Sequence, residues 1–205
     1  EEVDKLQDAQ TLKEKNLAFF KNTHKGIYKT FSKFNLKDHK VSLNTELNQM
    51  DVLYQGKSIY NGRPIAEAHE TVAQFEENYA PGKKFRTIDP PFTGYIHPRF
   101  FHKSCNDLIK SSPVKPHNFL SYTMPDFYPL MIFNGVGSGY HLEIFLKRYD
   151  VLNCVVVEQD PELFACSLYM IDWQELCAPF IDYPDRTIHF IIGPVEEDSH
   201  IPAYL

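Results

Sequence analysis

Three glycines stand on alternate positions in the stretch NGVGSGYH: Gly135, Gly137 and Gly139, with Ser138 between the last two and Tyr140 and His141 directly after. Glycine at such positions lets a chain turn sharply and bring backbone N–H groups close to a ligand, and a helix starting there adds partial positive charge for a phosphate or carboxylate. About twenty residues later an apolar run, 154–157, ends at Glu158, where an acid after the second strand of a nucleotide-binding unit accepts hydrogen bonds from ribose hydroxyls. Gly135, Gly137, Ser138, Gly139, Tyr140, His141 and Glu158 are therefore the candidate ligand-binding residues. The competing reading is a glycine turn kept only for tight strand-to-helix packing. Gly137→Val is expected to abolish nucleotide binding by blocking backbone approach. Asp160, before Pro161, reads as a helix N-cap. A third dinucleotide-fingerprint glycine would fall on Tyr140, which is too bulky for that close helix approach and disfavours NAD. No catalytic residue is assignable.

The elements that must hold these residues are strand, turn, helix, strand, helix, strand: 130–133, a helix over 140–148, 154–157, a helix over 161–173, and 187–192. Continuous apolar strands joined through helices imply parallel pairing in a sheet covered on both faces. The expected fold is α/β, a Rossmann-like parallel sheet that is incomplete, preceded by a smaller α+β region. In that region 3–34 has helical apolar spacing, 41–60 alternates as a hairpin turning at Gln55-Gly56-Lys57, and a helix starts near Pro64. Proline is frequent from Pro90 to Pro129, with one helix expected over 99–110. These boundaries give 1–112 as the N-terminal region, 113–128 as connector and 129–205 as the nucleotide-binding unit.

A chain of 205 residues with 43% hydrophobic content can bury a real core. The net charge of -6 gives no general case for nucleic acid. No apolar stretch is long enough to span a membrane and no signal sequence opens the chain, so the expected location is cytoplasmic. Cys105, Cys154, Cys166 and Cys177 lack metal-ligand spacing and read as reduced packing residues, and no metal site is expected. His97, Arg99, His102 and Lys103 form an anion-binding cluster or a solvated helix face, His189 reads as a core residue of its strand, and Glu196-Glu197-Asp198 as a solvated loop.

The glycine loop and its acid look like motif I of S-adenosylmethionine methyltransferases, although Asn134 replaces the acid often found before that loop. The stretch FNGVGSGYHLEIFLKRYDVLNCVVVEQDPELFACSL more closely resembles the domain shared by the motility-associated factor (Maf) glycosyltransferases and the archaeal 6-hydroxymethylpterin diphosphokinase MptE. Tyr140-His141-Leu142, Glu158, Asp160, Pro161 and Phe164 match, and Gln159 replaces the family's more usual Pro. The resemblance implies a nucleotide-activated substrate: in Maf proteins, a CMP-linked nonulosonic acid transferred to Ser or Thr of flagellin. The alternatives are a pterin diphosphokinase using ATP with Mg²⁺, a methyltransferase using S-adenosylmethionine, and a non-catalytic ligand-binding module. A sheet whose first strand needs a neighbour on each side is also expected to belong to a longer protein, to borrow the 41–60 elements, or to pair with another copy in a homo-oligomer.

Overall fold

The computed structural model describes residues 2–79 and 127–194. The chain divides into two compact units, Glu1–Gln74 with Asp126–Leu205, and Phe75–Pro125. The second falls almost wholly outside the described residues, as do the proline-rich stretch, the His97 to Lys103 cluster, Cys105 and the acidic run at 196–198.

Two helices open the chain, α1 (Glu2–Thr23) and α2 (Lys25–Phe31). Strands β1 (His39–Asn44), β2 (Gln49–Tyr54) and β3 (Lys57–Ser58) form an antiparallel sheet in that order. The β2–β3 turn carries positive φ at both Gln55 and Gly56, the left-handed pair whose twist suits a two-residue hairpin. Helix α3 (Pro64–Tyr79) follows, with proline at its start, where no N–H is needed.

After β4 (Phe127–Tyr128) come β5 (Met131–Asn134), α4 (Tyr140–Arg148), β6 (Asp150–Val151), β7 (Asn153–Glu158), α5 (Pro161–Ser167), α6 (Trp173–Asp182) and β8 (Thr187–Ile192). Strands β5, β7 and β8 lie in that order, all parallel, with Met131 opposite Cys154 and Cys154 opposite Ile188. A separate parallel pair joins β4 to β6. The expected helix over 161–173 is two helices. Asp172 caps α6 by accepting from the Glu175 N–H, and the turn before it ends α5.

Burial alternates along these strands. Met131, Phe133, Cys154, Val156 and Ile188 are buried, while Ile132, His189 and Ile191 are exposed on the opposite face. Among the described residues the helices therefore cover one face, which corrects the expectation of a sheet covered on both. His189 is likewise an exposed residue and not a core one, because its register places it beside Val155 on the open face. The 41–60 elements form their own sheet and do not pair with β5.

On the covered face, Phe164 and Phe190 pack against Phe20 of α1 and against Trp173, and Phe31 of α2 meets Phe164 at 4.9 Å between ring centroids. Fully buried Asn16 adds direction to this apolar contact. Its amide donates to the carbonyls of Leu168 and Ile171, and its oxygen accepts from the Trp173 N–H at 2.9 Å. All donors and acceptors of that side chain's polar end thereby close the α5–α6 turn onto α1. Cys154 and Cys166 are buried thiols, pushed up to about 12 by burial. No helix among the described residues is long and apolar enough to cross a membrane.

Candidate functional site

The glycine loop, 135–139, leaves the carboxyl end of β5 and enters α4, the position at which doubly wound sheets receive ligands. All three of its glycines have positive φ. Two of them are also needed for close approach inside the protein. A Cβ on Gly137 would stand 2.0 Å from the Tyr60 hydroxyl, and one on Gly139 would stand 2.4 Å from Cδ1 of Ile171.

Every backbone N–H of the loop has an internal acceptor. Gly135 donates to the Val157 carbonyl at 2.8 Å, and Gly139 to Val136 at 2.8 Å. Val136 and Gly137 both donate to Oε2 of Glu158, at 2.6 and 3.1 Å, and Ser138 donates to the Tyr60 hydroxyl at 2.7 Å. The other oxygen of Glu158 accepts from the Asp160 N–H at 3.0 Å. Glu158 is only 4% exposed. Its carboxylate turns inward to fill the concavity of the loop amides, in the manner of an anion bound in a backbone nest. To reach a ribose it would have to release the Val136 and Gly137 N–H groups.

The remaining sequence candidates surround this loop. Ser138 is buried, and Tyr140 and His141 are partly buried in the first turn of α4. Burial, then the nearby acids Glu143 and Asp51, push the Tyr140 phenol up to about 12. The His141 ring meets the Gly135 carbonyl through Nε2 at 3.1 Å, which makes that nitrogen the donor. Burial holds His141 below its ordinary value of 6.5, against smaller upward effects of that hydrogen bond and of Glu158. The loop, the acid and the helix start thus come together as the spacing predicts. Asp160 is the N-cap of α5, accepting from the Glu162 N–H at 2.8 Å.

Two residues at this end of the sheet had no signal in the sequence. Tyr60 follows the β3 strand, its phenol raised by burial, and it packs beside the Val52, Cys166 and Met170 cluster. Glu162 accepts from the N–H groups of Lys37, Asp38 and His39 at 3.0, 3.0 and 2.9 Å, and lies 3.3 Å from the His39 ring. Burial raises the Glu162 carboxyl, but those four hydrogen bonds together hold it below its ordinary value.

A cleft of about 280 Å³ lies at the other end of α4, lined in part by Lys147, Glu175, Leu176 and Arg186. Its cations are already paired, Lys147 with Glu143 and Glu175 and Arg186 with Asp150, which disfavours it as an anion site. Among the described residues no group of His, Cys, Asp and Glu is arranged to hold a metal ion.

Comparison with known proteins places this geometry in context. A model of the glycosyltransferase Maf N-terminal domain matches residues 12–201. The fold is similar to the solved structure of a Maf glycosyltransferase from Magnetospirillum magneticum AMB-1, with a TM-score of 0.62 and 20% identity over 91% of this chain. The chain spans 28% of the length of that protein. No curated protein matches it.

Proposed function

Because the chain belongs to the Maf glycosyltransferase N-terminal domain family, we propose that it serves a transferase that uses a nucleotide-activated sugar, with the glycine loop at the donor site. The observation that carries this reading is the family match across 12–201, which includes the loop, Glu158 and the hairpin that supplies Tyr60. The donor is a CMP-linked nonulosonic acid and the acceptor is a Ser or Thr of flagellin. The reaction takes place in the cytoplasm, and 129–205 is the nucleotide-binding part of the chain.

The loop's position supports the reading. Ser138 and the start of α4 face the carboxyl end of the parallel strands, and helix N-terminal N–H groups favour a phosphate. The methyltransferase reading depends on Glu158 holding a ribose, and both oxygens of that side chain are engaged by Val136, Gly137 and Asp160. CMP carries a ribose as well, so that occupancy bears on both readings alike, and the family match is what favours the glycosyltransferase.

The test uses the whole protein to which this chain belongs, incubated with a CMP-linked nonulosonic acid and flagellin. Mass spectrometry should find flagellin peptides heavier by one sugar residue at Ser or Thr. Unmodified flagellin, together with binding of S-adenosylmethionine but not CMP in calorimetry, would overturn the proposal.

A further inference from the structure

Of the five loop amides, four are held by groups of the loop itself and of the end of β7, and Ser138 alone is held from outside, by Tyr60. The tyrosine oxygen stands where a ligand oxygen would have to stand to take that N–H. Gly137 lies directly beneath it, and the absence of a side chain there is what admits the hydroxyl, since a Cβ would be 2.0 Å away. The middle glycine thus makes room for Tyr60.

Tyr60 also sits on a short segment whose backbone is arranged around it. Asn61 and Gly62 have φ of 52° and 73°. The Ser58 hydroxyl oxygen accepts from the N–H groups of Tyr60 and Gly62, and Asn44 donates to the Gly62 carbonyl. The Ile59 N–H, one residue before the tyrosine, closes on the Val52 carbonyl at 3.1 Å. A change at the Tyr60 hydroxyl therefore reaches the β2–β3 hairpin through a few defined hydrogen bonds.

We propose that Tyr60 is a latch on the glycine loop: its hydroxyl holds the Ser138 amide in the ligand-free protein, and a phosphate oxygen of the ligand takes that amide only as the latch opens. Ligand binding is then coupled to loosening of the segment between β3 and α3. This rests on the reading that the loop receives a phosphorylated ligand. The phenol stays protonated, because its burial raises it further above neutrality, so the contact it gives up is a neutral hydrogen bond.

The experiment compares this chain with its Tyr60→Phe variant, which keeps the ring and its packing and removes only the competing oxygen. Calorimetric titration with CMP and with inorganic pyrophosphate should show the variant binding about fivefold more tightly, the worth of one net neutral hydrogen bond. In the unsubstituted chain, saturation with the probe that binds should speed hydrogen exchange at the Ile59 amide. Equal or weaker binding by the variant, or an Ile59 amide that is unchanged or slowed on saturation, overturns the latch. If CMP binds without a gain in the variant, the latch fails and the donor reading stands. If neither protein binds either probe, both fail.

Discussion

Glu158 and Glu162 lie four positions apart in one short motif, and each fills a loop with its carboxylate. Glu158 receives Val136 and Gly137 from a loop that follows in parallel from the adjacent strand, and it is buried. Glu162 receives Lys37, Asp38 and His39 from the entry to β1, with its side chain 13% exposed. The first closes the candidate ligand loop from within. The second fastens the antiparallel sheet to α5. An acid after a nucleotide-type strand therefore need not face the nucleotide. Here the motif carries two internal anions, one for each half of the compact unit.

The largest expected effect comes from removing the more deeply buried of the two. Glu158→Ala leaves the Val136, Gly137 and Asp160 N–H groups without an acceptor, the first of them buried, and should cost about 3 kcal/mol in urea unfolding. Glu162→Ala removes more hydrogen bonds but opens them to solvent, and about 1.5 kcal/mol is expected by the same measurement. A reversed order would show that the number of bonds, and not their burial, sets the value of each acid.

That contrast also marks what was legible in the sequence. The strands, the helix at 140–148, the Asp160 cap and the Gln55-Gly56 turn depend on apolar periodicity and local backbone chemistry, which neighbouring residues spell out. Tyr60 reaches Ser138 across 78 positions, Glu162 reaches His39 across 123 and Asn16 reaches Trp173 across 157. No local pattern encodes such pairs. The inward turn of Glu158 was hidden for a different reason: its position in the sequence suits a ribose and an amide nest equally, and only the direction of the side chain decides. The spacing of the glycines suits space for a ligand, whereas at Gly137 and Gly139 the space is taken by Tyr60 and Ile171. Gly137→Val is accordingly expected to destabilise the fold by displacing Tyr60, as well as to block the loop.

A smaller effect separates the two regions by pH. Burial lowers His141 in the folded protein, so below about pH 6.5 the unfolded chain binds the extra proton first and stability falls with pH. Glu162 is also lowered, but as an acid its contribution is present above its ordinary value of 4.5 and is lost as pH falls below it. Thermal unfolding between pH 7.5 and 5.5 should therefore become less pH-dependent in His141→Gln and stay unchanged in slope in Glu162→Gln. His24, also lowered by burial, keeps part of the slope in both. An unaltered slope in His141→Gln would remove the loop from the pH response.

Amide hydrogen exchange of the ligand-free chain, resolved at Val136, Gly137 and Ser138, reports whether Glu158 and Tyr60 hold the loop amides. The account expects all three to be protected, with Ser138 alone losing protection in Tyr60→Phe and Val136 and Gly137 losing it in Glu158→Ala. Exchange of all three at the rate of an open loop in the unsubstituted chain would contradict it.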